Sequence, residues 1–272
     1  MKNVMPRDEP AYVREQYKTD RNLAIRVRTH ELYDENPVDF PGWILDHISW
    51  RGDERVLDAG CGSGVYVRPT QARCQTYIAA DLSSGMLRSL PQPYPPRLNL
   101  NVEQLPIRDA AFDVVFANHM LYHVPDRPRA AAQLRRVLKP DGYLLAATNG
   151  GTSMAEFHQL ATQTMAAMEL PLDESLTPYA LPFTLENGAE LLGQHFSHVR
   201  RVDLPGALVF TEPGPVVDYL GTVRERWHAI LGKSGKTWED VEKVMHRLLN
   251  EHLASHDVFR VSKLTGVFIC QP

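Results

Sequence analysis

Hydrophobic and polar positions follow two different periods along the first half of the chain. Short apolar runs that are typical of buried strands alternate with segments whose apolar residues recur every three or four positions, as in helices. The strand-like segments between residues 55 and 150 are RVLDAG, TYIAAD, LNLNV, FDVVFAN and YLLAAT. This alternation predicts an α/β fold, in which helices cover both faces of a mostly parallel, doubly wound sheet.

Local signals predict where several helices begin and end. Ser83 can cap the helix that follows the second strand. Thr237, with Asp240 three residues later, forms a capping-box variant at the start of a helix over residues 237–254. Residues 139–142, KPDG, predict a turn between a helix and the next strand.

Both ends of the chain have a looser pattern. Residues 10–35 and 37–50 have helical spacing. The segments predicted after residue 150 are helices over 152–170, 183–196, 213–231 and 237–254, a Pro-rich loop over 171–183, a strand over 198–205 and a closing strand or hairpin over 259–271. Since the last strand is needed to complete the sheet, we expect the extra helices to form a small cap.

Composition and charge exclude several classes of function. The 272 residues carry a net charge of −4, which is unsuited to nucleic-acid binding. No apolar run reaches the length of about 18 residues that a membrane span needs, and residues 1–18 lack the apolar core of a secretory signal. Cys61, Cys74 and Cys270 lack metal-site spacing, so we expect reduced thiols in a cytoplasmic protein.

The segment VLDAGCGSG provides the strongest chemical signal. A strand leads to Asp58, and Gly60, Gly62 and Gly64 follow directly before a helix. A dinucleotide fingerprint requires its third glycine where this chain has Val65. A carboxylate at residue 58 would repel a pyrophosphate and attract an ammonium or sulfonium group.

This D-x-G-x-G-x-G pattern closely resembles motif I of class I S-adenosylmethionine (SAM)-dependent methyltransferases. The segments NVEQLPIRDAAFDVVFAN and LRRVLKPDGYLLAAT are similar to two further blocks of that family. The resemblance is strong over about residues 50–150, weak over 183–205 and 257–270, and closest to the ubiquinone/menaquinone-biosynthesis-like group of small-molecule methyltransferases. It implies a Rossmann-like, seven-stranded sheet with a helical cap built from insertions, and SAM as the cofactor.

The resemblance also implies a division of the chain. Residues 1–50 would be helices that cover the cofactor site, and residues 51–150 would be the SAM-binding core. Residues 151–256 would contribute the cap helices and the sixth strand, and residues 257–272 the closing strand of the core sheet.

The resemblance assigns cofactor contacts as well. Asp81 would bind both ribose hydroxyls, and Leu82 would pack on the adenine. Asn101, at a position where the family often has Asp, would accept a hydrogen bond from the adenine amine, beside the backbone N–H of Val102. The expected cofactor-binding residues are Tyr17, Arg26, Asp58, Gly60, Cys61, Gly62, Gly64, Asp81, Leu82, Met86, Asn101, Val102, Glu103 and Asn118.

The segment FDVVFANHMLYHVPD predicts where the acceptor lies. His119, Tyr122 and His123 are the candidate catalytic residues, and His119 ranks first as a base or orienting group because it follows the end of the fourth strand. Packing roles are favoured for Tyr122 and His123, and no third ligand makes the two histidines a metal site. The residues suggested to line the acceptor pocket are Met154, Phe157, His158, Phe183, Phe210 and Trp227.

The sequence thus predicts methyl transfer to a small organic acceptor, with oxygen slightly preferred over nitrogen or carbon because of His119. Methylation of nucleic-acid bases is disfavoured, since residues 118–121 read NHML where such enzymes have a [N/D/S]-P-P-[Y/F] motif. An NAD-dependent oxidoreductase is disfavoured by the glycine spacing. A SAM-binding protein that does not methylate remains open, as do the acceptor and the oligomeric state. Neither nucleic acid nor a membrane is an expected partner.

Overall fold

A seven-stranded sheet organises the part of the chain that the computed structural model describes, residues 21–172 and 181–272. The strand order is β3-β2-β1-β4-β5-β7-β6, and β7 is antiparallel to both of its neighbours whereas the other adjacent pairs are parallel. The predicted Rossmann-like α/β fold is confirmed. The strands are β1 Arg55–Ala59, β2 Thr76–Asp81, β3 Arg97–Asn99, β4 Phe112–Phe116, β5 Leu138–Asn149, β6 His198–Phe210 and β7 Phe259–Gln271.

Helices cover both faces of this sheet because alternate strand residues are apolar on both sides. Leu57 and Val115 belong to one hydrophobic cluster, and their neighbours Val56 and Val114 belong to another on the opposite face. The helices are α1 Arg21–Tyr33, α2 Phe40–Leu45, α3 Val67–Gln71, α4 Ser84–Arg88, α5 Arg127–Val137, α6 Ala155–Ala167, α7 Gly188–Gly193, α8 Pro213–Gly221, α9 His228–Ser234 and α10 Trp238–Ser255.

Strands β6 and β7 continue past the rest of the sheet. Strand β7 pairs with β5 only from Cys270 back to Thr265, which faces the last residue of β5, Asn149. Residues 205–210 and 259–264, which we call the ribbon extension, pair only with each other in the sheet. Its apolar side chains join α6, α8 and α10 in a third hydrophobic cluster. The ribbon extension therefore holds the cap above the carboxyl edge of the parallel strands.

Helix α1 is fastened to the ribbon extension at its C-terminal end. Asp34 forms an isolated β-bridge with Leu208, and the Glu35 N–H donates to the carbonyl of Ala207 over 2.9 Å. Lys263 pairs with the Asp34 carboxylate, and the Arg260 guanidinium lies 2.7 Å from that of Glu35. These contacts hold α1 over the same edge of the sheet as the cap.

Several predicted boundaries were correct and others were wrong. Ser83 caps α4, and the capping box of Thr237 and Asp240 begins α10. The turn predicted at residues 139–142 is instead an irregularity within β5, where Leu138 and Tyr143 pair with Phe112 and Val114. The helix predicted over 213–231 is broken by a 3-10 turn at Arg224–Trp227.

The closing segment is a single strand that pairs along its length with β6. Strand β6 runs on through Pro205, which is tolerated because this strand lies at the sheet edge. Residues 10–20 of the first predicted helix and residues 173–180 of the predicted loop lie outside the described ranges. No helix within the described ranges is long and apolar enough to cross a membrane.

Candidate active site

A cavity of about 980 Å³ lies between the carboxyl edge of the sheet, helix α1 and the cap. Its volume is at the upper end of the range of about 300–1,000 Å³ found for small-molecule sites. His119, Tyr122 and His123 line it, as do all the expected cofactor-binding residues apart from Gly64 and Tyr17. Tyr17 lies outside the described residues.

The order of the lining residues follows the order of the strands. Asp81, Asp58 and Asn118 lie within two residues of the carboxyl ends of β2, β1 and β4, on one side of the cavity. The opposite side, which we call the cap-side half, is lined by His30, Asp34, Met154, Leu204, Tyr219, Lys263 and Thr265. The residues expected to bind the cofactor thus occupy one half, and the cap-side half has space for a second molecule.

The glycine loop needs its glycines for two different reasons. Gly60 has φ +82°, and a Cβ at this position would lie 2.7 Å from the Cβ of Met120. Its N–H and that of Cys61 donate to the carbonyl of Ala80, so the loop folds tightly over the end of β2. Gly64, with φ +84°, does not line the cavity; a Cβ there would meet Leu90 at 2.7 Å, which is a packing constraint.

Asp81 is held by backbone groups on both sides. Its two carboxylate oxygens accept the N–H of Gly62 at 2.9 Å and the N–H of Ser83 at 2.8 Å. The Asn99 side chain, which sequence reasoning missed, donates to the carbonyls of Asp81 and Leu82, both at 2.9 Å. Since each carboxylate oxygen has a further lone pair, Asp81 can also accept two ribose hydroxyls.

Asp58 is a second buried acid at this end of the cavity. Only 1% of the residue is exposed, and it accepts the hydroxyl of Tyr77 on the adjacent strand. Burial raises the pKa of Asp58 to about 7, the Tyr77 hydrogen bond opposes the shift, and the charge of Asp81 adds to it. Two neighbouring acids make this end of the cavity attractive to a cation.

The segment after β3 supplies a further polar wall. The carbonyl oxygen of the Asn101 side chain accepts the Glu103 N–H at 3.0 Å, and its amide donates to the Glu103 carboxylate at 2.9 Å. A second lone pair on the Asn101 oxygen stays available for an exocyclic amine. Leu82, Met86 and Val102 add apolar surface beside it.

Asn118 presents a donor without an acceptor. Its side-chain oxygen accepts the Ala147 N–H at 3.0 Å, while its buried Nδ2 has no hydrogen-bond partner among the described residues. Such buried donors are costly unless a ligand satisfies them.

The residues present fit SAM. Asp81 can hold its ribose, the Asn101 segment its adenine, and Asp58 with Asn118 its charged methionine half. When bound, SAM supplies a methyl group on positively charged sulfur.

His119 bends the chain at the end of β4. It has φ +53°, which is uncommon outside glycine, and its backbone N–H donates to the carbonyl oxygen of Ala147 over 2.8 Å. Its ring lies 5.5 Å from the ring of Phe40 and 6.5 Å from that of Tyr122, measured between centroids. Burial lowers the pKa of His119 to about 4, so the imidazole is neutral at pH 7. Tyr122 and His123 lie in a 3-10 turn, with their rings packed edge to face.

The cap-side half contains charged and titratable residues that sequence reasoning missed or ranked low. His30 lies in the last turn of α1 and Asp34 directly after the helix, four residues later; both line the cavity, and this spacing was an available signal. Lys263 and Thr265 alternate along β7, so both face the cavity. Burial and the charge of Lys263 lower the pKa of His30 to about 4.

The residues suggested for the acceptor pocket were mostly wrong. Of that set only Met154 lines the cavity. The aromatic members pack in hydrophobic clusters because their apolar rings gain more from burial than from facing a polar cavity: Phe157, Phe183, Phe210 and Trp227. Arg26 does line the cavity, and its Nε donates to the Thr222 hydroxyl at 3.0 Å.

Comparisons with known proteins agree with this geometry. Residues 57–146 match the family model described as "Methyltransferase domain". A malonyl-[acyl-carrier protein] O-methyltransferase from Serratia marcescens is 37% identical over 105 residues, 38% of this chain and 41% of that protein. The human mitochondrial arginine-hydroxylase NDUFAF5 is 26% identical over 198 residues, 68% of this chain and 56% of that protein.

A solved structure extends the likeness in fold to almost the whole chain. The [4+2]-cyclase SpnF superimposes with a TM-score of 0.59 and 15% identity, and the alignment covers 97% of each chain. This chain spans about half the length of the two curated relatives, so their likeness concerns the core.

Proposed function

We propose that the protein is a class I SAM-dependent methyltransferase that transfers a methyl group from SAM to a small organic acceptor, because residues 57–146 match the methyltransferase-domain family model. The acceptor would occupy the cap-side half of the cavity, and the transfer would be an in-line displacement at the methyl carbon. Oxygen is our preferred acceptor atom, on the basis of the neutral His119 imidazole beside the cavity.

One observation carries the proposal. Asp81 accepts the N–H of Gly62 in the glycine loop and lies in the same cavity as Asp58 and Asn118. This order gives the cavity an acid for the ribose, an acid that attracts a cation and an unsatisfied buried donor, which together suit SAM. It does not suit a dinucleotide, because the pyrophosphate would meet two carboxylates.

The residues of this chain would contribute alignment, desolvation and proton transfer. Asp81 and Asn101 would fix the nucleoside, and Asn118 would orient the methionine half. His119 would take the proton of the acceptor, because a neutral imidazole has a free lone pair. Tyr122 and His123 would shape the wall of the site. We place the reaction in the cytoplasm, a proposal that the three free cysteines support.

The test is calorimetric titration with SAM and with NADH, followed by incubation with methyl-labelled SAM and a metabolite extract. We expect SAM binding, no NADH binding and transfer of label to a small molecule. If the protein bound NADH and did not bind SAM, the proposal that it is a SAM-dependent methyltransferase would be overturned. SAM binding without label in any acceptor would favour the non-methylating alternative.

A further inference from the structure

The wall of the cap-side half contains a largely buried ion pair. The Lys263 ammonium pairs with the Asp34 carboxylate, and their side chains are only 16% and 10% exposed. Both residues line the cavity. An ammonium has three N–H donors, so Lys263 retains donors for a ligand after Asp34 has taken one. An oxygen that accepts one of them would lie closer to Lys263 than to Asp34.

Two neutral imidazoles line the cavity, His30 in the cap-side half and His119 at the end of β4. Burial lowers the pKa of both His30 and His119 to about 4. The charge of Lys263, and that of a protonated His119, each lower the pKa of His30 further, so these three groups share one electrostatic environment. At pH 7 each imidazole is neutral and offers a lone pair to a hydroxyl; with a pKa of about 4 it relays a proton to solvent and does not hold it, and the ammonium can stabilise negative charge.

Aromatic rings flank these groups. The ring of Phe40 lies 5.5 Å from His119, and the ring of Tyr219 lies 6.1 Å from His30 in an edge-to-face arrangement. Flat apolar walls around a small number of polar groups favour a planar acceptor.

We propose that the cap-side half binds a planar acceptor through a phenol- or enol-type hydroxyl, with Lys263 holding the oxygen as an oxyanion and the His30–His119 pair receiving its proton. This inference rests on the proposed function and adds the class of substrate to it. A carboxylic acid is already ionised at pH 7 and so has no proton for an imidazole.

The proposed step balances. The O–H bond of the acceptor breaks and its proton goes to a ring nitrogen of His119 or His30. The freed oxygen pair forms the new O–CH₃ bond while the S–CH₃ bond breaks and its electron pair stays on sulfur. The products are a methyl ether, neutral S-adenosylhomocysteine and one proton, which the imidazole releases to solvent because its pKa is about 4.

The test uses 4-nitrophenol, because its phenolate absorbs visible light and its neutral form does not. We would titrate the probe with the protein over a pH series, with and without S-adenosylhomocysteine. We expect Lys263 to lower the pKa of the bound probe by about one unit or more, a tenfold change in its ionisation constant. Benzoate, as a carboxylate competitor, is expected to bind more weakly than the probe.

Three variants give the proposal its controls. Asp34→Asn leaves Lys263 with no compensating charge, so the ionisation of the probe should increase further. The double variant Asp34→Asn/Lys263→Met removes both charges without leaving one buried alone, and the shift should vanish. His30→Gln should keep the shift and slow methylation of the probe from labelled SAM.

Failure of the inference and failure of the proposed function have separate readouts. If S-adenosylhomocysteine binds but the probe stays neutral, does not bind or binds less tightly than benzoate, the inference is overturned and the proposed function stands. If no cofactor binds, the proposed function fails, and the spectrum recorded without cofactor still shows whether Lys263 stabilises the phenolate.

Discussion

Asp58 has the most consequential residue-scale property, a carboxyl with a pKa of about 7 at the cofactor end of the cavity. A bound cation favours the ionised form, so SAM binding should release a proton, and the affinity should rise as the pH rises towards 7. Calorimetry in buffers of different ionisation enthalpy measures this release. Asp58→Asn should abolish it.

Tyr77 provides the matched control for this linkage. Its hydrogen bond lowers the pKa of Asp58, so Tyr77→Phe should raise that pKa and move proton release to higher pH. A release that is unchanged in both Asp58→Asn and Tyr77→Phe would mean that another group supplies the proton.

Asp81 and His119 should separate binding from turnover. Asp81→Ala removes hydrogen bonds from a charged acceptor, each worth about 1.5–3 kcal/mol, so we expect SAM affinity to fall roughly a hundredfold. His119→Ala should leave SAM affinity within about twofold and reduce turnover by a factor of about 10² or more. Calorimetry and label transfer measure the two effects, and unchanged turnover in His119→Ala would exclude it as the base.

At the scale of elements, the glycine loop gives a prediction about backbone shape. Gly60→Ala places a Cβ 2.7 Å from the Met120 Cβ at φ +82°, so we expect a loss of SAM affinity of about tenfold or more, together with lower thermal stability. Gly193→Ala on α7 is the control, since no atom lies within 4 Å of its added Cβ. It should leave both the affinity and the melting temperature nearly unchanged.

The sequence predicted the elements of the core well and those of the cap poorly, for a physical reason. Strands buried on both faces, such as β1 and β4, appear as short runs of mostly apolar residues. The start of α10 was predictable although this helix belongs to the cap, because the Thr237 cap is a local signal. The break at residues 224–227 and the length of β6 depend on packing between distant segments. The division at residues 50, 150 and 256 stays a prediction.

The candidate site shows the same contrast. The glycine loop and Asp81 lie at the carboxyl ends of two successive strands, β1 and β2, so their relative positions could be predicted from the sequence. The pairing of Asp34 with Lys263 joins residues 229 positions apart, and no local pattern contains it. Tyr77 was likewise invisible, because its role depends on which strand lies beside Asp58.

At the scale of the whole molecule, α1 and the ribbon extension close the cavity together. The Arg260–Glu35 pair is exposed, so it should contribute only a little to this docking. Arg260→Gln should therefore raise amide hydrogen exchange in residues 21–35 by about two- to fivefold. S-adenosylhomocysteine should lower exchange in the same residues, since Arg26 and His30 line the cavity.

Arg247 offers a matched control for the exchange measurement. It forms a similarly exposed pair with Glu251 on α10, away from the cavity lining. Arg247→Gln should leave exchange in residues 21–35 unchanged. Equal effects of the two variants would show that α1 is held by other contacts.

The ribbon extension also determines how this protein could be recombined with its relatives. Because the cap helices α6, α8, α9 and α10 and the ribbon extension all follow Gly150, a single crossover near that residue would exchange them together with the core strands β6 and β7 and the helix α7. The parent protein that contributes the N-terminal segment would contribute all of the proposed cofactor-binding residues. Asp34 and Lys263 stand on opposite sides of the crossover, so this pair would have to be inherited together.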